Sequence, residues 1–348
     1  VSYSLSFDSL EDLSDKRVLV VGVGGGGDTL GALLIYYKLK RMGSSVILGN
    51  IVWERMILDP FPGPIQLEQV FNAEYLGGSC ALVNPESYVD RFGYKIKPQI
   101  IIASEILGEK TIFLDLNRGD IGLIESFDIL ASRFELDAII GVDVGGDILA
   151  IGCEEDIWSP LADSLSLNAL AKSKIPTMIA VIAPGADGEL SQQLVIKRIS
   201  EIALREGLIG VYGVNRREYK ILKSIANRFV SEASKIPLEA FSGYIGQVKI
   251  RGGSRTVDVN PISTTIFLLD TRIVYSRSLI AQTVANSKSI REARDKLNSK
   301  CIYTELDLEE DLYNYRLKGS DRPVSLIDIR SEGRRKLLLS GCTPLKCL

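Results

Sequence analysis

Apolar positions along the chain fall into short unbroken blocks separated by stretches of mixed character. Lys16–Val23 (KRVLVVGV) is apolar without alternation, the pattern of a strand buried on both faces. A glycine block follows. Thr29–Met42 then shows helical periodicity, with basic residues in its last turn and Gly43 as its stop. Ser45–Leu48 begins a second strand and completes a β-loop-α-β unit, for which a right-handed crossover is expected. From Trp53 to about Lys97 the pattern is irregular and rich in breakers, which predicts an excursion over the sheet. Further strands are predicted at Gln99–Ala103, Thr111–Leu116, Ala138–Val144, Thr177–Ala183 and Leu208–Tyr212. Helices are predicted at Ile121–Phe134, Leu161–Lys172, Leu190–Arg205 and Arg216–Ala233. The alternation implies an α/β fold with a doubly wound, mainly parallel, Rossmann-like sheet over residues 1–235, Val18–Val23 lying centrally and residues 52–97 forming the excursion.

After Pro237 the texture changes. Gln247–Ile250 and Arg255–Val259 flank Gly252-Gly253, a hairpin signal. Thr264–Leu269 reads as another strand, and Ser276–Leu297 as one or two helices. Residues 236–348 are therefore expected to form a smaller α+β extension packed on the main domain.

Net charge is −3 with no long basic run, which argues against nucleic acid or an anionic membrane surface as partner. No apolar stretch approaches the roughly 20 residues of a membrane span. The first fifteen residues do not read as a secretory signal, so a cytoplasmic location is expected. Five cysteines without a C-x-x-C pair read as free thiols, although Cys342 and Cys347 are near enough in sequence to pair. The chain has no histidine. That excludes Ser-His-Asp and Cys-His catalysis and histidine-ligated metal sites. Chemistry falls to carboxylates, lysine, arginine, tyrosine, cysteine, a hard cation or backbone dipoles.

Three glycine- and aspartate-bearing segments follow apolar strands. The first, Gly22 to Asp28, contains Gly24, Gly25, Gly26 and Gly27 and satisfies G-x-G-x-x-G between a strand and a helix. Asp28 sits where a dinucleotide pyrophosphate would lie, and the second strand ends in Gly49-Asn50 rather than a ribose-binding acid. Asp28 is either a helix N-cap, a ligand-binding group, or both. The second segment is Asp143-Val144-Gly145-Gly146-Asp147. The acidic run Glu154–Asp156 after it reads as a solvated loop, and Ser159-Pro160 as an N-cap and first helical residue. The third is Pro184-Gly185-Ala186-Asp187, with Gly188-Glu189 beyond.

In a parallel sheet all three segments leave carboxyl ends and share one edge. Asp28, Asp147 and Asp187 are the candidate catalytic carboxylates. Asp28 and Asp147 are the candidate metal ligands, with magnesium as the cation. Gly24–Gly27, Asp143, Gly145, Gly146, Gly185 and Ser159 are the candidate ligand-binding positions. Lys249, Arg251 and Arg255 read as a solvated strand face.

The pair GGGGD at 24–28 and VDVGGDIL followed by SPLAD at 159–163 resembles an uncharacterised, mainly archaeal family of domains of unknown function. The likeness continues through Pro237–Ala240 and Ile250–Gly253. The resemblance implies a Rossmann-like fold and a cytoplasmic location, and it transfers no activity. The reading that follows is a protein, more an enzyme than not, that binds a small polar metabolite, phosphorylated or nucleotide-like. The alternatives are a noncatalytic metabolite sensor and an atypical dinucleotide-dependent oxidoreductase. A small-molecule ligand is the expected partner, and homo-oligomerisation stays open.

Overall fold

Across the sheet the strands run Leu208–Gly213, Thr265–Asp270, Thr177–Ile182, Ala138–Val144, Arg17–Gly22, Ser45–Ile51, Thr111–Leu114, Cys80–Val83 and Glu74–Gly77. This computed structural model describes residues 7–154, 157–317 and 325–346. The five strands from Thr177–Ile182 to Thr111–Leu114 are mutually parallel. By chain order they run fifth, fourth, first, second, third, so the order reverses beside Arg17–Gly22. Both flanks are antiparallel. Thr265–Asp270 separates Leu208–Gly213 from the parallel core, and the hairpin Glu74–Gly77/Cys80–Val83 extends the other edge.

The unbroken apolar strands are explained by two cores. Val18 and Val20 face one with Ile140 and Val142, beneath the Thr29–Arg41 and Gln99–Leu107 helices. Leu19 and Val21 face the other with Ile139, Ile179 and Val181, beneath the Gly119–Arg133 and Pro160–Ala171 helices. Successive side chains of a strand point to opposite faces, so a sheet covered on both leaves no position for alternating polarity. The fold is α/β and Rossmann-like, with Arg17–Gly22 at the middle of the sheet.

Several expectations are corrected. Gln99–Leu107 is a helix, not a strand, entered from Pro98 and closed by Gly108 at φ +65°. The excursion after Trp53 contributes two strands to the main sheet as well as a small three-stranded sheet of Val70–Phe71, Tyr88–Arg91 and Tyr94–Ile96. Cys301 and Cys342 form a disulfide, so these thiols are not free and Cys342 does not pair with Cys347, which lies outside the described residues. The Gly246–Ile250/Arg255–Val259 hairpin is present as expected.

Candidate functional site

At the carboxyl ends of the parallel strands, where their order reverses, lies a cavity of about 590 Å³. The loop after Arg17–Gly22 supplies Gly24, Gly27 and Asp28, and the segment after Ser45–Ile51 supplies Trp53 to Ile57. Asp143 and Asp147 come from the end of the fourth strand in chain order, and Asp187 from beyond the fifth. Glu305, Leu308, Glu309 and Leu312 of the Glu305–Leu317 helix complete the lining.

Of the residues singled out from sequence, Gly24, Gly27, Asp28, Asp143, Asp147, Ser159 and Asp187 line this cavity. Gly25, Gly26, Gly145, Gly146 and Gly185 do not; they shape the backbone behind it. Gly145 shows why. Its φ is +126°, and a Cβ there would stand 2.4 Å from the Asp187 Cγ.

Asp28 occupies the N-cap position of the Thr29–Arg41 helix, but its side chain makes no capping bond. Its Oδ2 instead accepts the amide of Gly24 at 2.6 Å, and its Oδ1 accepts that of Val144 at 3.1 Å. The glycine loop is thus filled by its own carboxylate. The Gly26 amide is also taken, donating to the Trp53 carbonyl at 2.9 Å. Two of the loop amides that would face a pyrophosphate, those of Gly24 and Gly26, are already bonded, which argues against the dinucleotide reading.

Ser159 likewise precedes its helix without capping it, although Pro160 holds the first helical position as expected. The Ser159 hydroxyl donates to Glu189, and its oxygen lies 3.4 Å from the Asp147 Oδ2. The helix is capped from a distance. Glu305 accepts the amides of Leu161 at 3.0 Å and Ala162 at 2.8 Å, satisfying donors that a helix start leaves open. Burial pushes Glu305 up to about 8.

Two groups of three buried carboxylates have oxygens within 4.8 Å of one another: Asp143, Asp147 and Asp163, and Asp147, Asp187 and Glu189. Their surroundings differ. In the second group Glu189 accepts the Trp158 amide at 2.7 Å, the Ser159 amide at 2.9 Å and the Arg251 guanidinium at 2.8 Å. Burial works to raise its pKa, but Arg251, Ser159 and the amides outweigh it and hold Glu189 at about 2. In the first group Asp163 is only 2 % exposed, and neither of its oxygens has a hydrogen-bond partner. Burial, then the charges of Asp143 and Asp28, push Asp163 well above the carboxylate range. Asp143 and Asp147 are raised in the same direction, first by burial and then by neighbouring carboxylates. Asp28 is raised to about 7 by burial, with Asp187 adding to it against the two amides, and burial and Glu189 raise Asp187 to about 6.

Gly24 sits between two of these acids. A Cβ there would lie 2.9 Å from the Asp28 Oδ2 and 3.0 Å from the Asp163 Oδ1. The glycine loop therefore makes room for carboxylates rather than for a phosphate. Asp147 belongs to both carboxylate groups, whereas Asp28, the other metal candidate, belongs to neither.

A sequence profile for a family described as "Protein of unknown function (DUF1152)" matches residues 19–313. The chain belongs to this family. No curated protein and no solved structure matches it. As a DUF1152 member, the chain brings no inherited activity, and the chemistry has to be read from its own residues. No helix among the described residues is long and apolar enough to cross a membrane.

Sequence reasoning missed several charged groups in the cavity lining and, beside it, Asp163. Asp163 stands in the first turn of its helix, where an acid reads as an ordinary partner of the helix dipole. Glu54, Arg55, Glu305 and Glu309 come from segments with no local pattern. Of the predicted solvated strand face, Lys249 alone is exposed. Arg251 pairs with Glu189, and the Arg255 guanidinium lies 4.2 Å from the Trp158 ring centre. Glu154 is also not merely solvated: it accepts the amides of Ile151, Gly152 and Cys153 and pairs with Arg198 at 2.8 Å. Glu155 and Asp156 lie outside the described residues.

Proposed function

We propose that the protein is an enzyme acting on a small polar metabolite with the help of one hard divalent cation held by Asp143, Asp147 and Asp163. One observation carries this reading: Asp163 is buried with two undonated oxygens, facing two other buried carboxylates. Three buried carboxylates gathered with few donors, and with none at Asp163, are costly unless protonated or bridged by a cation. Their oxygen-only chemistry and spacing suit magnesium or manganese, which prefer carboxylates and keep water in their remaining positions. The Asp147, Asp187 and Glu189 group is a weaker candidate because Arg251 already neutralises Glu189.

A cation there would polarise a substrate oxygen or acidify a bound water. The chain's own residues supply the rest. Asp28 and Asp187, raised to about 7 and about 6, stand near neutrality, where a carboxyl can both take and give a proton. Trp53 and Trp158 line the cavity and give a ligand an apolar wall beside the polar one. A thermal-shift screen of sugar phosphates, nucleotides and amino acids, each with and without magnesium, tests the reading. It predicts a metabolite that stabilises the fold only when magnesium is present. A ligand that acts equally well in a chelator favours the noncatalytic sensor instead.

A further inference from the structure

The cavity also has a cationic end. Arg55 lines it from the segment after the Ser45–Ile51 strand. Among the described residues its guanidinium makes no hydrogen bond and no ion pair, although its charge lies near Glu189, Glu232 and Asp28. Arg251 lines the same space from the tip of the Gly246–Ile250/Arg255–Val259 hairpin. Its backbone is held at φ +53°, a conformation uncommon outside glycine, and its amide is tied to Glu232. One side of its guanidinium pairs with Glu189, while its Nε is buried and without a partner. Two like charges are thus kept together in a desolvated place. Burial, and after it the proximity of Arg251, lowers Arg55 to about 10.

An arginine left unpaired beside a second arginine retains donors for an anion. A guanidinium presents a planar fork that matches tetrahedral oxyanions and carboxylates. A lone anion would meet Asp28, Asp143, Asp147 and Asp187 in the same cavity and be repelled. A cation among those carboxylates reverses that, so metal and anion should bind together. The cation and the Arg55 guanidinium, with the open edge of the Glu189-paired Arg251 beside them, suit a dianion better than a monoanion.

We propose that the metabolite is a phosphate monoester whose phosphate lies between the Arg55 and Arg251 guanidiniums and the carboxylate-held cation. This assignment deepens the reading above and rests on it for the cation.

The test is calorimetric titration of inorganic phosphate, and separately of malonate, into the full chain with and without magnesium. Manganese binding is measured independently by electron paramagnetic resonance. Phosphate should bind the magnesium-loaded protein more tightly than malonate does, and at least tenfold more weakly once magnesium is removed. Arg55→Gln should weaken phosphate at least tenfold and leave manganese affinity within about twofold. Arg55→Lys, which keeps the charge without the fork, should fall between. Melting curves confirm that each variant is folded, as expected for a side chain without partners. Failure of wild type to bind phosphate, equal binding by Arg55→Gln, or a preference for malonate overturns the assignment. Absence of manganese binding overturns the cation alone if phosphate still binds through Arg55, and manganese binding without phosphate overturns the phosphate alone.

Discussion

Asp28, at the start of the Thr29–Arg41 helix, and Val144, the last residue of the Ala138–Val144 strand, lie 116 positions apart in the chain and are joined by a hydrogen bond of 3.1 Å from the Val144 amide to the Asp28 Oδ1. The other oxygen of the same carboxylate holds Gly24 at 2.6 Å. Asp28 therefore ties the first strand's loop to the end of the fourth strand across the point where strand order reverses.

That clamp predicts a mutational pattern different from a helix cap. Asparagine caps helices about as well as aspartate, so a cap would leave Asp28→Asn neutral. A clamp needs two acceptors, and asparagine offers one acceptor and one NH2 donor. Asp28→Asn and Asp28→Ala should both lose roughly 1–3 kcal/mol, the cost of leaving a buried amide unmatched. Denaturant unfolding of the two variants beside wild type measures this, and a neutral Asn variant would restore the cap.

Glu305 predicts a second long-range effect. It caps the Pro160–Ala171 helix in place of Ser159. Glu305→Ala should cost about 1–2 kcal/mol, in the range of a lost helix cap. Glu305→Gln keeps one acceptor and should cost less. If hydrogen exchange at Leu161 and Ala162 is unchanged in Glu305→Ala, the cap is not energetically coupled to the helix.

Stability should also depend on pH in an unusual direction. Burial first, then Asp59, raises Glu54 from 4.5 to about 7 against donors from Gln99 and the charge of Arg55. Burial and Asp59 raise Glu309 likewise to about 7 against Gly63, Trp53 and Arg91. The folded state then holds more protons than the unfolded state between these values. Stability is greatest below about 4.5 as far as these groups are concerned, and falls as pH rises through about 7. Glu189, lowered to about 2, acts the other way but only below its unfolded value of 4.5. With no histidine in the chain, the window between pH 5 and 8 belongs to raised carboxylates, Asp28, Asp187 and Glu305 among them, which act in the same direction as Glu54 and Glu309. Urea midpoints in chelator at pH 5, 6, 7 and 8 should decline steadily, and a rise across that range would show that these carboxylates stay charged in the fold.

The shared edge of Asp28, Asp143, Asp147 and Asp187 was legible because parallel strands all release their loops at one end, and apolar runs mark those strands. What those aspartates do was less legible. Asp28 and Ser159 stand at cap positions by sequence, and only the fold reveals that both side chains turn to other partners. Gln99–Leu107 misled because nine residues rich in isoleucine carry no decisive period, and length alone separates a short buried helix from a strand. Asp163 was visible in its motif, yet nothing local says that it lacks donors. Glu305 and Arg251 reach the site from beyond residue 236, through contacts that no sequence periodicity encodes.

The central claim is the cation at Asp143, Asp147 and Asp163. Manganese titration of wild type and Asp163→Asn, followed by electron paramagnetic resonance and by thermal unfolding, tests it most directly. Asp163 has no hydrogen bonds to lose, so in chelator the Asn variant should be as stable as wild type or more so. Saturating manganese, at 100 times its dissociation constant, should stabilise wild type by about 2.7 kcal/mol and the variant by far less. Manganese that binds both proteins alike, or neither, would contradict a cation centre built on Asp163.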